Sequence, residues 1–132
     1  MSETNKEVVT KANALLAEGN TEGFLQFFAK DVKWTLLAGE PKVLNGIDAV
    51  REFMRESTKE GAAPPTFTVD NLIADNDTVI SNGAMTMEGK DGEKVPFAYC
   101  DIYKFRDGLI AELLTFIAKT EAEPQTERSA SA

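Results

Sequence analysis

Histidine is absent from this 132-residue chain, and cysteine occurs once, as Cys100. Without histidine, the Ser-His-Asp and Cys-His nucleophilic sites of enzymes are excluded in their usual forms, and so are most zinc sites. A single cysteine cannot form an intrachain disulfide, which fits a reducing compartment. Neither of the glycine-rich nucleotide-binding patterns, G-x-x-x-x-G-K-S/T and G-x-G-x-x-G, occurs. We therefore expect a protein that works without a cofactor and without a metal.

Positive charge is also scarce, with 14 Lys and Arg against 22 Asp and Glu and a formal net charge of −8. Nucleic acids and anionic membrane surfaces bind basic faces, so neither is an expected partner. No apolar run approaches the ~18 residues of a membrane span, and residues 1–11 are too polar for a signal peptide. The expected location is therefore cytoplasmic.

Three segments in the first half of the chain have the apolar spacing of helices. The first covers residues 4–18. The second follows Asn20 and carries three phenylalanines on its apolar face, and the third covers residues 45–59. Between the last two, residues 32–37 predict a short strand, which is followed by a break at Gly39-Glu40-Pro41.

The second half of the chain predicts strands. Four segments have strand character and are separated by turn residues: 66–74, 78–88, 93–106 and 109–119. Residues 120–132 are polar and low in complexity, so we expect a flexible tail outside a single domain of residues 1–119. Segregated helices and strands predict an α+β fold, with three N-terminal helices packed on a curved, mostly antiparallel sheet.

The last two predicted strands form a hairpin with its turn at Arg106-Asp107-Gly108. A turn centred on Asp107 puts six residues on one face in opposed pairs, with Tyr103 beside them: Asp101 and Leu113, Tyr99 and Thr115, and Phe97 and Ile117. The other face then holds Ala98, Cys100, Ile102, Leu114 and Phe116. Both faces are mostly apolar, so we expect the helices to cover one and a second subunit the other, which predicts a homodimer.

One carboxyl group, Asp101, lies among the apolar residues of the first face. Burial would disfavour its charged form and raise its pKa, so Asp101 is a candidate neutral carboxylic acid that donates a hydrogen bond to a ligand oxygen. The alternative is a carboxyl group that Thr115, Tyr99 or a backbone amide satisfies within the protein. One of the two must hold if Asp101 is buried, because a buried, unpaired carboxylate costs several kcal/mol.

Three segments carry a family resemblance: GNTEGFLQFFAKDVKWTL, NGIDAVREFM and YCDIYKFRDGLIAEL. With the order of helices and strands, they resemble the SnoaL-like branch of the NTF2-like superfamily over roughly residues 7–118. Ketosteroid isomerases, limonene-epoxide hydrolases and SnoaL-type polyketide cyclases belong to that superfamily. The resemblance implies a cone-shaped α+β barrel with a deep apolar pocket between the helices and the concave side of the sheet. It also implies a dimer through the convex side.

The catalytic residues of these relatives have only partial counterparts here. The resemblance places Leu36 where ketosteroid isomerases have an aspartate base and Ala12 where they have an oxyanion-hole tyrosine, and it keeps their second oxyanion donor as Asp101. Epoxide hydrolases have carboxylates on the last strand where Thr115 and Ala118 stand. The carboxylate that cyclases place near the end of that strand has no counterpart either. Each complete catalytic set is therefore broken in this sequence.

Three functions follow as hypotheses. The first is a binding module for a small hydrophobic, oxygen-bearing molecule, with Asp101 as its polar contact. The second is an isomerase, cyclase or hydratase that uses Asp101 as general acid or oxyanion donor, with Glu40 as its base if the loop of residues 39–43 folds inward. The third is a protein-interaction module that uses the convex face. The expected ligand-binding residues are Trp34, Leu36, Phe53, Met54, Phe97, Tyr99, Asp101, Tyr103, Leu113, Thr115 and Ile117.

Overall fold

Helices and strands alternate at the start of the chain, and strands alone follow. The computed structural model describes residues 4–58, 66–88 and 92–120. The helices are α1 (Asn5–Ala17), α2 (Thr21–Leu25) and α3 (Ile47–Thr58). The strands are β1 (Phe28–Ala38), β2 (Glu40–Asn45), β3 (Thr66–Phe67), β4 (Asn71–Asp75), β5 (Thr78–Glu88), β6 (Lys94–Arg106) and β7 (Leu109–Lys119). Within those ranges, no helix is long and apolar enough to cross a membrane. The predicted loop at residues 61–65, the turn at 90–91 and the tail from 121 to 132 lie outside the described residues.

Polar side chains define the starts of the first two helices. Thr4 caps α1, because its Oγ1 accepts a hydrogen bond from the Glu7 amide at 3.2 Å. The Glu7 carboxylate accepts one in return from the Thr4 amide at 2.9 Å. Asn20 caps α2, with its Oδ1 accepting from the Gly23 amide at 2.9 Å.

Two element boundaries differ from the predictions, and the predicted strand of residues 66–74 is divided into β3 and β4. The second helix ends at Leu25, and Phe28 begins β1 opposite Ile110 of β7, because pairing with a neighbouring strand outweighs the local helical spacing. The predicted break at residues 39–41 is the turn of a hairpin. Gly39 has a φ of +89°, and the chain returns as β2, an edge strand where the missing amide of Pro41 is tolerated.

One mixed sheet contains all seven described strands. Its order is β2-β1-β7-β6-β5-β3, and β4 also pairs with β5. Every pair is antiparallel except β1 with β7, which is parallel. The sheet is not closed, because β2 ends one side and β3 and β4 end the other. The α+β class and the mostly antiparallel sheet are thus confirmed.

The β6–β7 hairpin has a different register from the predicted one. Its turn contains two residues, Asp107 and Gly108, both with positive φ as hairpin turns of this length require. The pairing then shifts by one residue between Phe105–Ile110 and Lys104–Glu112, which leaves Ala111 without an opposite residue. Asp101 therefore lies opposite Thr115 rather than Leu113, Tyr99 opposite Ile117, and Phe97 opposite Lys119. The total shift is two residues, so every predicted face assignment in the hairpin is retained.

The helices cover one face of the curved sheet, called the concave face below, and the core lies between them. Its buried cluster consists of Val8, Val9, Ala12, Phe24, Leu25, Phe28, Val32, Val50, Met54, Val79, Tyr103, Phe105, Ile110 and Leu113. On the opposite, convex face, Phe116 is 42% exposed. An ion pair between Arg51 and Glu22, with Nε 2.8 Å from Oε2, connects α3 to α2.

A glycine in β5 lets the segment between β3 and β4 approach the sheet closely. A Cβ on Gly83 would overlap the carbonyl oxygen of Thr68. The Thr68 amide donates to the Ala84 carbonyl at 2.9 Å, and the Ala84 amide donates to Thr68 Oγ1 at 3.1 Å. The Thr68 carbonyl also accepts a hydrogen bond from the Tyr99 hydroxyl at 2.6 Å. Gly83, which pairs with Tyr99, thus makes room for the backbone that holds the tyrosine ring.

We expect Gly83→Ala to lower the free energy of unfolding by about 1–3 kcal/mol, because backbone must move to admit the methyl group. Urea unfolding of the two proteins measures this difference. Ala84→Ser is the matched control, since its side chain is exposed and the change should stay within about 0.5 kcal/mol. Equal stability of Gly83→Ala and wild type would contradict the close approach.

Candidate functional site

Three polar residues form a row across the concave face. Ser81 of β5, Asp101 of β6 and Thr115 of β7 are direct neighbours in the register. Side chains in such positions lie about 5 Å apart. On one side of the row lie Val79, Tyr103 and Leu113, and on the other Gly83, Tyr99 and Ile117. The row is thus a polar strip within an apolar face.

Asp101 is partly buried and lacks a cationic partner among the described residues. The Tyr103 hydroxyl donates a hydrogen bond to its Oδ2 at 3.3 Å. Burial raises the pKa of Asp101 to about 6, against the lowering effect of hydrogen bonds from Thr115 and Tyr103. The direction is the expected one, but a carboxyl with this pKa is about nine-tenths ionised at pH 7. The hydrogen bonds from Tyr103 and Thr115 match the alternative expectation, a carboxyl group that is satisfied within the protein.

Trp34 orients the Thr115 end of the row. Its Nε1 donates a hydrogen bond to Thr115 Oγ1 at 2.9 Å, and Thr115 is only 4% exposed. The indole also packs edge-on against Phe53 of α3, with ring centroids 6.0 Å apart. Trp34 thus connects α3 to the polar row.

Both tyrosines beside Asp101 use their hydroxyl groups within the protein. Tyr103 is 2% exposed and donates to Asp101, and burial raises its pKa well above the ordinary value. Tyr99 is 8% exposed and donates to the Thr68 carbonyl, and burial raises its pKa as well. Their rings contribute apolar surface, and their polar groups are already occupied.

Ser81 is a site residue that the sequence reasoning missed. It has no exposed surface, and its Oγ has no hydrogen-bond partner. The hydroxyl is near enough to Tyr99 to lower the pKa of that tyrosine, although burial has the larger effect. The Tyr99 hydroxyl donates to the Thr68 carbonyl rather than to Ser81. The available signal was the alternation in β5, where Ser81 occupies an inward position between Val79 and Gly83.

The remaining predicted site residues fall into three groups. Leu36, Leu113 and Met54 are buried, with Leu36 opposite Thr115 in the parallel pair of β1 and β7. Phe97 and Ile117 are half-buried further along the concave face. The proposed base does not join them, because Glu40 is an exposed residue of edge strand β2 rather than part of an inward loop.

Two cavities flank the polar row without reaching it. The larger, about 510 Å³, lies between β2 and α3 and is lined by Lys42, Leu44, Ala49, Glu52, Phe53 and Glu56. The smaller, about 260 Å³, lies between α1 and the β3–β4 segment and is lined by Thr10, Asn13, Ala14, Ala17, Phe67, Val69 and Leu72. Of the predicted ligand-binding residues, Phe53 alone lines either of these two cavities. The deep pocket that the family resemblance implied at Asp101 is neither of them.

The raised pKa of Asp101 predicts how the stability of the fold changes with pH. Because the folded-state pKa is about 6 against an ordinary 3.8, the folded chain holds this proton more tightly, and stability falls by up to about 3 kcal/mol as the pH rises through that window. Asp101→Asn keeps an acceptor for Tyr103 and removes the ionisation. We expect it to be more stable than wild type by about 1–3 kcal/mol at about pH 7.5, and by much less at about pH 4.5.

Urea unfolding at both pH values measures the difference. Asp75→Asn, in exposed edge strand β4, is the control and should change stability little at either pH. A variant at Asp101 that is less stable than wild type at both pH values would show that the carboxylate stabilises the fold.

The comparisons with known proteins agree with this architecture. The family model of the SnoaL-like domain matches residues 9–113. A search of curated proteins found no match. An NTF2-like protein of unknown function from Burkholderia pseudomallei superposes with a TM-score of 0.76 at 18% identity, covering 86% of this chain and 90% of that one.

Two further solved structures are similar. An NTF2-like protein from Burkholderia thailandensis gives a TM-score of 0.77 at 19% identity, covering 88% of this chain and 92% of that one. TerC, co-crystallised with polyporic acid, gives 0.73 at 18% identity, covering 84% and 88%. These similarities show an NTF2-like fold. Because the family model spans most of its length, the chain belongs to the SnoaL-like domain family.

Proposed function

We propose that the protein binds a small, largely apolar molecule on the concave face, with Asp101 as its polar contact. The observation that carries this proposal is the state of the Asp101 carboxyl. Asp101 is half-buried, it faces no cation among the described residues, and burial raises the pKa of its carboxyl to about 6. A carboxyl group in such surroundings weakens the fold at neutral pH, and strongly perturbed groups of this kind are concentrated at functional sites.

The neighbours of Asp101 supply apolar surface and few free polar groups. Leu36, Leu113 and Ile117 surround the row, while the hydroxyl groups of Tyr99 and Tyr103 are occupied. A ligand on this face would therefore gain most of its affinity from apolar burial and its orientation from one carboxyl group. TerC, which has a similar fold, was crystallised with a small molecule, polyporic acid.

An enzyme of the isomerase or cyclase type is the second candidate, and one observation favours it. A pKa of about 6 lies close to the working pH, where a group can both take up and release a proton. The positions where related enzymes place their partner groups hold Leu36 and Ala12, and Glu40 is exposed at the sheet edge. Such an enzyme would therefore use Asp101 as its single acid or base.

The binding proposal predicts that affinity depends on Asp101. We expect small apolar molecules with one polar group, found by ligand-observed NMR at neutral pH, to bind Asp101→Asn at least about tenfold more weakly, a loss of about 1.4 kcal/mol. Glu112→Gln, an exposed change on the convex side of β7, is the matched control and should leave affinity unchanged. A screen without binders, or binders that do not respond to Asp101→Asn, would contradict the proposal.

A second copy of the chain is the proposed partner of the convex face. Phe116 is 42% exposed there, beside the half-buried Ile102 and Leu114. Along one border, Lys33, Glu112 and Lys104 follow one another across three strands, so charges of alternating sign lie beside an apolar centre. A self-complementary patch of this kind suits a two-fold dimer. A different protein partner is the interaction-module alternative.

Phe116→Lys should convert the dimer to a monomer, because two lysines would replace two apolar side chains at the interface. Light scattering after size-exclusion chromatography gives the mass in solution. Val69→Lys is the control, since Val69 is also exposed, at 44%, but lies between β3 and β4 near α1. A wild-type protein of monomer mass would contradict this partner and leave the convex face to another protein.

A further inference from the structure

The hydrogen-bond neighbours of Asp101 direct protons toward its carboxyl group. The Tyr103 hydroxyl donates to Oδ2 at 3.3 Å. On the other side, Thr115 Oγ1 accepts from Trp34 Nε1 at 2.9 Å, so the lone pair that faces Trp34 is occupied and the hydroxyl proton remains for Asp101. The lowering effect of Thr115 on the pKa of Asp101 is the effect of a donor.

The chain Trp34–Thr115–Asp101–Tyr103 therefore has a direction. An indole N–H cannot accept a hydrogen bond, so the donor role of Trp34 is fixed by its chemistry. The contact between Trp34 and Phe53 holds the indole in place, with ring centroids 6.0 Å apart. Asp101 is the acceptor on which the hydroxyl groups of Tyr103 and Thr115 converge.

Asp101 retains acceptor capacity beyond these two hydrogen bonds. An ionised carboxyl group has about four lone-pair positions, of which Tyr103 and Thr115 use two. Ser81, the third residue of the row, has no exposed surface, so it does not compete for a ligand. A ligand that reaches Asp101 meets a free acceptor, while the donors of Tyr103, Thr115 and Trp34 are already used.

We propose that the ligand presents a hydrogen-bond donor, a hydroxyl or N–H group on an apolar skeleton, to Asp101, and not a carbonyl oxygen. This inference rests on the proposed binding function and specifies its ligand class. A carbonyl oxygen placed against the carboxylate would face another acceptor and lose its bond to water. An alcohol would exchange its bond to water for a charge-assisted bond to Asp101.

Three probes on one skeleton test this directly: indan-2-ol, indan-2-one and 2-methoxyindane. The alcohol can donate, and the ketone and the ether can only accept. Trp34 is the sole tryptophan and contacts the row, so its fluorescence reports binding. We expect wild-type protein at about pH 7.5 to bind the alcohol at least about tenfold more tightly than the ketone or the ether.

Variants test whether Asp101 causes the preference for the alcohol over the ketone. Asp101→Asn replaces one acceptor by an amide N–H, so the alcohol-to-ketone ratio should fall to within about threefold. Asp75→Asn, the same chemical change at an exposed position of edge strand β4, is the control and should keep the wild-type ratio. The ratio is measured within each protein, so a general loss of stability does not produce it.

Each of the other possible results of this experiment contradicts one specific claim. A ketone that binds wild type as tightly as the alcohol contradicts the donor requirement but leaves small-molecule binding intact. An alcohol preference that is unchanged in Asp101→Asn contradicts the role of Asp101 in that preference. Absence of binding by all three probes counts against the binding function itself, and the donor requirement fails with it.

Discussion

The site depends on the pairing of Asp101 with Thr115 across the β6–β7 hairpin. A two-residue turn alone would put Leu114 opposite Asp101 and direct Thr115 to the convex face. The unpaired residue Ala111 adds one position to β7 and brings Thr115 back to the concave face. Only then can Trp34 donate to Thr115 from the parallel neighbour β1. A local irregularity in the sheet thus creates the polar row.

The polar side chains of Ser81 and Asp101 affect the stability of the fold. Ser81 Oγ is buried without a partner, and the Asp101 carboxyl is partly buried without a cation. Apolar residues at both positions would suit the surrounding core better, since an unsatisfied buried hydroxyl costs about 1–3 kcal/mol and a buried carboxylate loses its hydration. Beside the row, Gly83 admits the Thr68 carbonyl that accepts the hydrogen bond of Tyr99. A polar group that lowers stability among packed neighbours is typical of a binding site.

The sequence predicted the fold class and the faces of the hairpin because both follow from periodicity. Helical spacing identified α1 and α3, and alternation placed Asp101, Tyr103 and Thr115 on one side of the sheet. The register of the β6–β7 hairpin could not be predicted, because a bulge at Ala111 has no sequence signal in a run of apolar residues. The edge strand β2 was not predicted, because Gly39 and Pro41 indicate a break in the chain in most contexts.

The direction of the hydrogen bonds around Asp101 could not be predicted from the sequence either. That direction determines the chemistry of the site. The sequence placed Trp34, Thr115 and Tyr103 on predicted strands. It did not show that two donors converge on Asp101. The sequence therefore left two roles open for Asp101, a neutral donor to a ligand or a carboxyl group satisfied within the protein. The hydrogen bonds from Tyr103 and Thr115 match the second role.

The most direct test of this account is a titration of the Asp101 side-chain carboxyl carbon by ¹³C NMR, assigned with Asp101→Asn. We expect one transition with a pKa of about 6, so that the carboxylate form dominates at neutral pH. A pKa near the ordinary 3.8 would show that the concave face does not bury this group. A carboxyl that stays protonated above pH 7 would show that Asp101 is the donor after all.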